Sequence, residues 1–231
     1  MDWLGPAELD AVRLSLQVSF WATLLSLPVG LGTAYALARW SFRGKQIVNG
    51  LVHLPLVLPP VVTGYLLLIG FGPNGPFGAP LQALFGISLA FRWTGAALAA
   101  AIMAFPLMVR AMRLSIEAVD PGLEAAAATL GASRLRVFLT VTLPLTLPGV
   151  LAGAVLAFAK AMGEFGATIT FVGNIPGQTQ TVPSAIYGLL QVPGGEGGAL
   201  WLVLISITIA MGALLLSEWV SRRVADRVRA G

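Results

Sequence analysis

Residues 124–144 read EAAAATLGASRLRVFLTVTLP, a short amphipathic segment of soluble character set between strongly apolar stretches. Leu123 to Leu130 are strong helix formers with mostly small side chains, and Gly131 is the residue type that usually ends a helix in the left-handed conformation. Upstream, Asp120-Pro121 supplies an N-cap acceptor followed by a first-turn proline, which is how many helices start. Arg134 and Arg136 begin the next approach to the apolar chain, and Leu143-Pro144 opens it. The run Ala125 to Ala128 makes a helix face without bulk, which lets another protein come close, and Gly131 permits a sharp turn. An amphipathic connector lying on a membrane surface has the same pattern.

Composition sets the class around that segment. Hydrophobic residues make up 57% of the 231 and charged residues only 10%, with a mean hydropathy of +0.85. Soluble domains carry about 25% charged residues. The chain is expected to be an all-α integral membrane protein, a single transmembrane domain over residues 1–231 whose one polar insertion is a loop at residues 117–144. Cysteine is absent, which excludes disulfides, iron–sulfur clusters and thiol catalysis.

A membrane helix needs about 20 mostly apolar residues, and five stretches supply them: Ala11 to Ala38, Ile47 to Phe71, Thr94 to Met112, Leu143 to Gly163 and Ala199 to Val220. Eleven of the fourteen basic residues fall in three places: Arg39, Arg43 and Lys45; Arg110, Arg113, Arg134 and Arg136; and Arg222, Arg223, Arg227 and Arg229. By the positive-inside rule these regions are cytoplasmic, so the C-terminus is inside and the N-terminus, with Asp2, Glu8 and Asp10, is outside. The N-terminus lacks a basic region before a short apolar core, so no cleaved signal peptide is expected and the first span serves as its own insertion signal. The expected location is a prokaryotic cytoplasmic (inner) membrane. About a dozen residues follow Trp219, too few for a regulatory domain.

Two external connections differ. Gly72 to Trp93 is rich in Gly and Pro and then becomes amphipathic, which predicts a turn and a short interfacial helix anchored by Phe91 and Trp93. Gly166 to Gly198 is broken by Pro176, Pro183 and Pro193 and reads as a connection too polar to span, with Ser184 to Gln191 able to dip in as a re-entrant helix. Within it, Gly173 to Thr181 offers amides and hydroxyls, for contact either with a partner or with an oxyanion, or else forms a solvated loop. No internal repeat is visible, which disfavours a transporter built from inverted repeats within one chain.

The net charge of +4 does not point to nucleic acid, because the basic residues stand next to the spans. No Gly-x-x-x-x-Gly-Lys-Ser/Thr loop is present, so the chain is not an ATPase, and neither a Gly-x-Ser-x-Gly elbow nor a His-Glu-x-x-His site is found. No catalytic residue is assigned. His53, the one histidine, has no acidic or thiol neighbours in sequence, so no metal site is expected.

The spacing from Gly131 through nine residues to Val141-Thr142-Leu143-Pro144 resembles the cytoplasmic Glu-Ala-Ala loop of ABC importer permeases. Anchored on Gly131, the motif's two alanines fall on Ala126 and Ala127, whereas its glutamate position falls on Ala125 and Glu124 lies one residue earlier. HLPLVLPPVVTGYLLL (53–68), FPLMVRAMRLSIEAVD (105–120) and GEFGATITFVGNIPGQTQTVPSAIY (163–187) extend the resemblance towards bacterial molybdate permeases. What that family implies is a type I importer permease fold working as a homodimer, two cytoplasmic ABC ATPase subunits holding ATP and Mg, and an extracytoplasmic oxyanion-binding protein. No cofactor belongs to this chain. The resemblance also implies that Glu124, Ala126, Ala127, Gly131, Ala132, Ser133 and Arg134 couple to the ATPase. Molybdate, tungstate and sulfate remain open as substrates, and a stand-alone secondary anion carrier or channel is the rival from another class.

Two sets of residues are candidates for the anion path. Lys160 and Glu164 stand four apart in the fourth apolar stretch, close enough to pair on one helical face, and ionisable residues at such depth face a cavity or a partner rather than lipid. They either line the path or lock two helices together. In the second stretch Pro55, Pro59 and Pro60 free backbone carbonyls and bend the helix, while Thr63 offers a hydroxyl and Gly64 a narrow backbone.

Overall fold

The computed structural model describes residues 5–230, and beyond Leu216 it describes the side chains of Glu218, Trp219 and Arg223 alone. Asp2 lies outside the described residues, as do the side chains of Arg222, Arg227 and Arg229. Regular secondary structure among the described residues is helical throughout.

Helix α1 spans Pro6–Arg39 and starts with proline in its first turn, with Glu8 near its N-terminus and Arg39 in its last turn, each placed to complement the helix dipole. A turn at Gly44 leads to α2, Lys45–Val57, and then α3, Pro60–Phe71. These two were expected to form one span. They meet at 114°, either one broken span or a re-entrant pair, so the bend expected from the prolines is present and sharp. The cause is local: Leu58 precedes Pro59 and Pro59 precedes Pro60, and a residue before proline is driven out of the helical region, so both sit extended at ψ 142 and 134. Pro55 is carried inside α2.

Helix α4, Gly78–Phe85, is the short helix expected between Gly72 and Trp93, and it leaves Leu84 and Phe85 exposed as an interfacial element would. After it, Phe91 takes a φ of 59, and Trp93 begins α5, Trp93–Glu117. Then come α6 (Pro121–Thr129), α7 (Arg134–Val137), a π-helical turn at Phe138–Thr142, and α8 (Leu143–Met162). Helix α9 covers Gly166–Val172, α10 Val182–Leu189 and α11 Glu196–Ala230. Among the described residues, four helical stretches are long and apolar enough to cross a membrane, or five with the bent α2–α3 pair counted as one.

Helix α5 is the centre of the bundle, packed most extensively against α1 and α8. Its apolar window is 61% buried, against 11% for α11 at the periphery. Small residues make this packing possible, because in lipid close backbone approach replaces the hydrophobic drive. On α8, Gly149, Gly153, Ala157 and Ala161 recur every fourth residue. A Cβ on Gly149 would fall 2.2 Å from the Ser115 Cβ, and one on Gly153 would fall 3.0 Å from the Met108 carbonyl oxygen, both on α5.

Two further expectations are corrected. The fourth span ends at Met162, so Glu164 lies beyond the helix that carries Lys160, in a break at Gly163 to Phe165. And Gly166 to Val172, read as the start of a polar connection, is a helix whose Ala167, Thr168, Phe171 and Val172 are buried. Threonine and glycine lower its hydropathy, but it packs against α3 and α5 rather than facing water. Helix α10 is the short helix foreseen near Ser184. It is capped by Thr181 and Ser184, and its first backbone N–H donates to Ser15 Oγ on α1 at 2.7 Å.

Candidate functional site

The polar loop occupies the end of the bundle where α1 and α5 finish. Asp120 is extended at ψ 119 and its Oδ1 accepts from Gly122 N at 2.8 Å, so the helix start read from Asp120-Pro121 is present. The end is present too. Gly131 has φ 84, its N–H donates to Ala128 O at 3.0 Å, and Ala132 N donates to Ala127 O at 3.3 Å. That pair of bonds is a Schellman motif, which satisfies the last carbonyls of α6. Ser133 then caps α7, its Oγ accepting from Arg136 N at 3.4 Å.

None of the nine residues of α6 is buried. Ala126, Gly131, Ser133 and Arg134 are exposed, while Ala127 and Ala132 are half-buried against the turn. Between and beside them stand apolar side chains that pattern reading passed over. Leu130 is 89% exposed and Leu135 is 68% exposed. Leucines so placed on a polar loop are a docking surface more readily than a solvated one.

Glu124 belongs to a different face. Its carboxylate pairs with Arg39 Nε of α1 at 3.1 Å and accepts from Thr142 Oγ1, at the end of the π turn, at 2.7 Å. Arg39 Nη2 donates in turn to Val119 O at 2.8 Å. Both charged side chains are largely buried, and Thr142 is fully so. Tyr35 packs edge-on against Phe138 next to this knot. A cavity of about 490 Å³ opens beside it, lined by Tyr35, Arg39, Ser41, Glu124, Ala128 and Arg134. Arg39 had been read only as a marker of topology and Thr142 only as part of a motif. Their partners lie 85 and 18 positions away, beyond any local pattern.

The second set of candidates converges on α9. Lys160 Nζ donates to Glu164 Oε2, and Glu164 Oε1 accepts from Ala167 N at 3.0 Å. Glu164 is 2% exposed, whereas the Lys160 side chain keeps 30% exposure. The carboxylate thus caps the first turn of α9 and holds the lysine across the break. From the other side, a Cβ on Gly64 would fall 2.5 Å from the Ala167 carbonyl oxygen, and one on Gly166 would fall 2.7 Å from Pro60 Cβ. So Pro60, Gly64, Lys160 and Glu164 are gathered around one short helix, and Pro59 forms the elbow that brings α3 there. Thr63 is buried and its hydroxyl has no hydrogen-bond partner. Gly173 to Thr181 is not a solvated loop as a whole. Thr179 and Thr181 are buried and Asn174 Nδ2 donates to Ser184 O, leaving Ile175 to Gln178 at the surface.

No group of three or more metal-ligating side chains exists among the described residues. His53 Nδ1 meets only the Asn49 carbonyl one turn earlier, at 2.8 Å.

Residues 26–226 match the family described as binding-protein-dependent transport system inner membrane component. The molybdenum transport system permease protein of Escherichia coli K12 is 60% identical over 228 residues, covering 99% of each chain. Its namesake in Haemophilus influenzae is 54% identical over 224 residues, covering 97% of this chain and 98% of the relative. Among solved structures, a bacterial ABC transporter involved in the import of the acidic polysaccharide alginate superposes with a TM-score of 0.76 at 17% identity, over 96% of this chain and 81% of that one. An amino acid ABC transporter gives 0.67 at 20% identity, over 94% of both. At these identities the two structures speak for the fold alone, that of ABC importer permeases.

Proposed function

The chain belongs to the binding-protein-dependent transport system inner membrane components, and from that premise we propose that it is the permease of an ATP-driven importer that carries molybdate across the inner membrane. A permease of this family is a membrane subunit without chemistry of its own. The ATPase, with its ATP and Mg, is a separate chain in this reading.

The assembly we propose is a homodimer with two ABC ATPase subunits on the side of the polar loop and an oxyanion-binding protein on the opposite side. Residues 1–231 act as one transmembrane domain, with the N-terminus outside, the C-terminus in the cytoplasm, and residues 117–144 as the coupling loop. Basic residues flanking α1, α5 and α11 at the loop end support that orientation. One observation carries the coupled reading: α6 has a complete cap at each end, no buried residue, and Leu130 and Leu135 presented outward. A helix so finished and so uncovered suits a cleft in a partner.

Transport then follows as alternating access. ATP draws the two ATPase subunits together and the α6 helices move with them. The two bundles rock, and the axis between them opens outward to take the anion from the docked binding protein. Hydrolysis restores the inward-open form. Along the path Lys160 supplies positive potential, held by Glu164 at rest. Thr63 offers a free hydroxyl beside the Pro59-Pro60 elbow, and Gly64 a narrow backbone that lets α3 seat on α9 next to it. What supports this placement is their convergence on α9 and the exposure that Lys160 retains.

The substrate assignment rests on the relatives, and tungstate, an oxyanion of the same shape and charge, fits the same path, as does sulfate. The test is the ATPase activity of the reconstituted complex with binding protein loaded with molybdate, tungstate or sulfate. Stimulation by molybdate is expected; no stimulation by any of the three removes the reading. A carrier working alone is separated by purification, since it would leave the membrane without an ATPase subunit attached.

A further inference from the structure

We infer that Glu124 is a positioning residue which, given the importer reading above, fastens the coupling helix to α1 and to the foot of α8, so that the three move as one body. The family motif would place a glutamate at position 125, where this chain has Ala125, which is exposed. Glu124 instead faces inward, and its oxygens are already engaged within the chain. One accepts from Thr142, and the carboxylate as a whole pairs with Arg39. Arg39 also reaches the Val119 carbonyl, so the ends of α1 and α5, helix α6 and the π turn meet in a single polar knot.

Among the described residues the other side-chain hydrogen bonds at α6 are local, within its own cap and last turn. With no buried residue, and only Ala127 of its alanines half-buried, its apolar packing is slight, so its position leans on the bonds of that knot. An exposed ion pair would contribute little, but both partners here are mostly out of water, with side-chain exposures of 15% and 17%. The knot passes displacement in two directions. Thr142 carries it to α8, because Thr146 Oγ1 donates to the Thr142 carbonyl at 2.9 Å. Arg39 carries it along α1, whose 34 residues make a rod of about 50 Å, short of one backbone hydrogen bond at Pro28. Near the far end of that rod Ser15 holds the first N–H of α10. A push on α6 therefore has a mechanical route to the opposite face that does not pass through the path itself.

The test uses the full complex of permease, ATPase and loaded binding protein in proteoliposomes. Glu124→Ala is expected to keep the ATPase bound and hydrolysing while oxyanion uptake per ATP falls about tenfold, within the usual range of coupling between sites. Glu124→Gln keeps the bond from Thr142 and should fall between. The chain has no cysteine, so the double variant Arg39→Cys, Glu124→Cys can be bridged with a short bismaleimide; the bridge should restore at least half of the lost uptake. Unchanged uptake per ATP in Glu124→Ala overturns the inference, and so does loss of the ATPase on purification without rescue by the bridge, which would mean that Glu124 grips the partner directly. A readout on the permease alone separates this from the importer reading. Spin labels at Ser41 and Ala128, which line the same cavity, should give a narrow distance distribution that broadens in Glu124→Ala. An unaltered distribution sinks the inference whether or not the complex transports.

Discussion

Gly64 of α3 and Ala167 of α9 touch backbone to backbone, with room for no more than a hydrogen between them. A Cβ on Gly64 would stand 2.5 Å from the Ala167 carbonyl oxygen and 2.9 Å from its Cα. Backbone cannot swing aside as the end of a side chain can, so Gly64→Ala should separate the two helices at a cost of about 1–3 kcal/mol. Thermal unfolding of the purified permease in detergent checks it, and an unchanged Tm would show that α3 and α9 are free to part.

The two members of the Lys160–Glu164 pair are unequally buried, and that asymmetry is measurable. Lys160→Met leaves a carboxylate of 2% exposure without its cation. It should destabilise more than Glu164→Gln, which keeps an acceptor for the Ala167 N–H and leaves a lysine able to reach water. The double variant should recover part of the loss. In vesicles Lys160→Ala should lower uptake with binding-protein affinity unchanged; full uptake would make the pair a lock rather than part of the path.

At the loop, Leu130 has almost no contact to lose. Leu130→Asp should leave the permease's own stability within about 0.5 kcal/mol yet strip the ATPase from it, read as the yield of ATPase co-purified with tagged permease. Equal yields would move the docking surface elsewhere.

Asp120→Ala removes the acceptor that starts α6, at a cost of about 1 kcal/mol, whereas Asp120→Asn should be nearly silent. Gly131→Ala, at φ 84, should cost a similar amount and Gly131→Asn less, because asparagine tolerates the left-handed region better. Proteolysis of the loop in the free permease reports both: faster cutting in the two alanine variants than in the two asparagine variants is the expected order.

Orientation has a direct test in a cysteine-free chain. A single cysteine at Ala7 should react with an impermeant maleimide on intact cells and one at Arg227 should not. The reverse pattern would invert the topology.

Hydropathy made the apolar helices legible, since about 20 apolar residues can do little else in a membrane. The caps of α6 were legible because Asp120-Pro121 and Gly131 act through their own backbone. The bend between α2 and α3 was visible as a proline pair but not as an angle, which depends on how α3 seats on α9. Helix α9 itself stayed hidden: its glycine and threonines look like a polar connection until Pro60 and Gly64 are seen packed against it. The knot at Glu124 was out of reach for a different reason. Arg39, Glu124 and Thr142 are each unremarkable locally, and only the fold brings an arginine at the end of α1 to a helix 85 positions later.

The elbow at Leu58 and Pro59 bears on how the protein is made. Helices α2 and α3 have 13 and 12 residues, each short of the about 20 that cross a bilayer unaided. The helix on which α3 rests emerges from the ribosome only after residue 166. The bent pair in the first third of the chain thus lacks its main seat until the last third is made, and a chain cut short before α9 is expected to leave α3 with its small contacts to α4 and α5 in place of that seat.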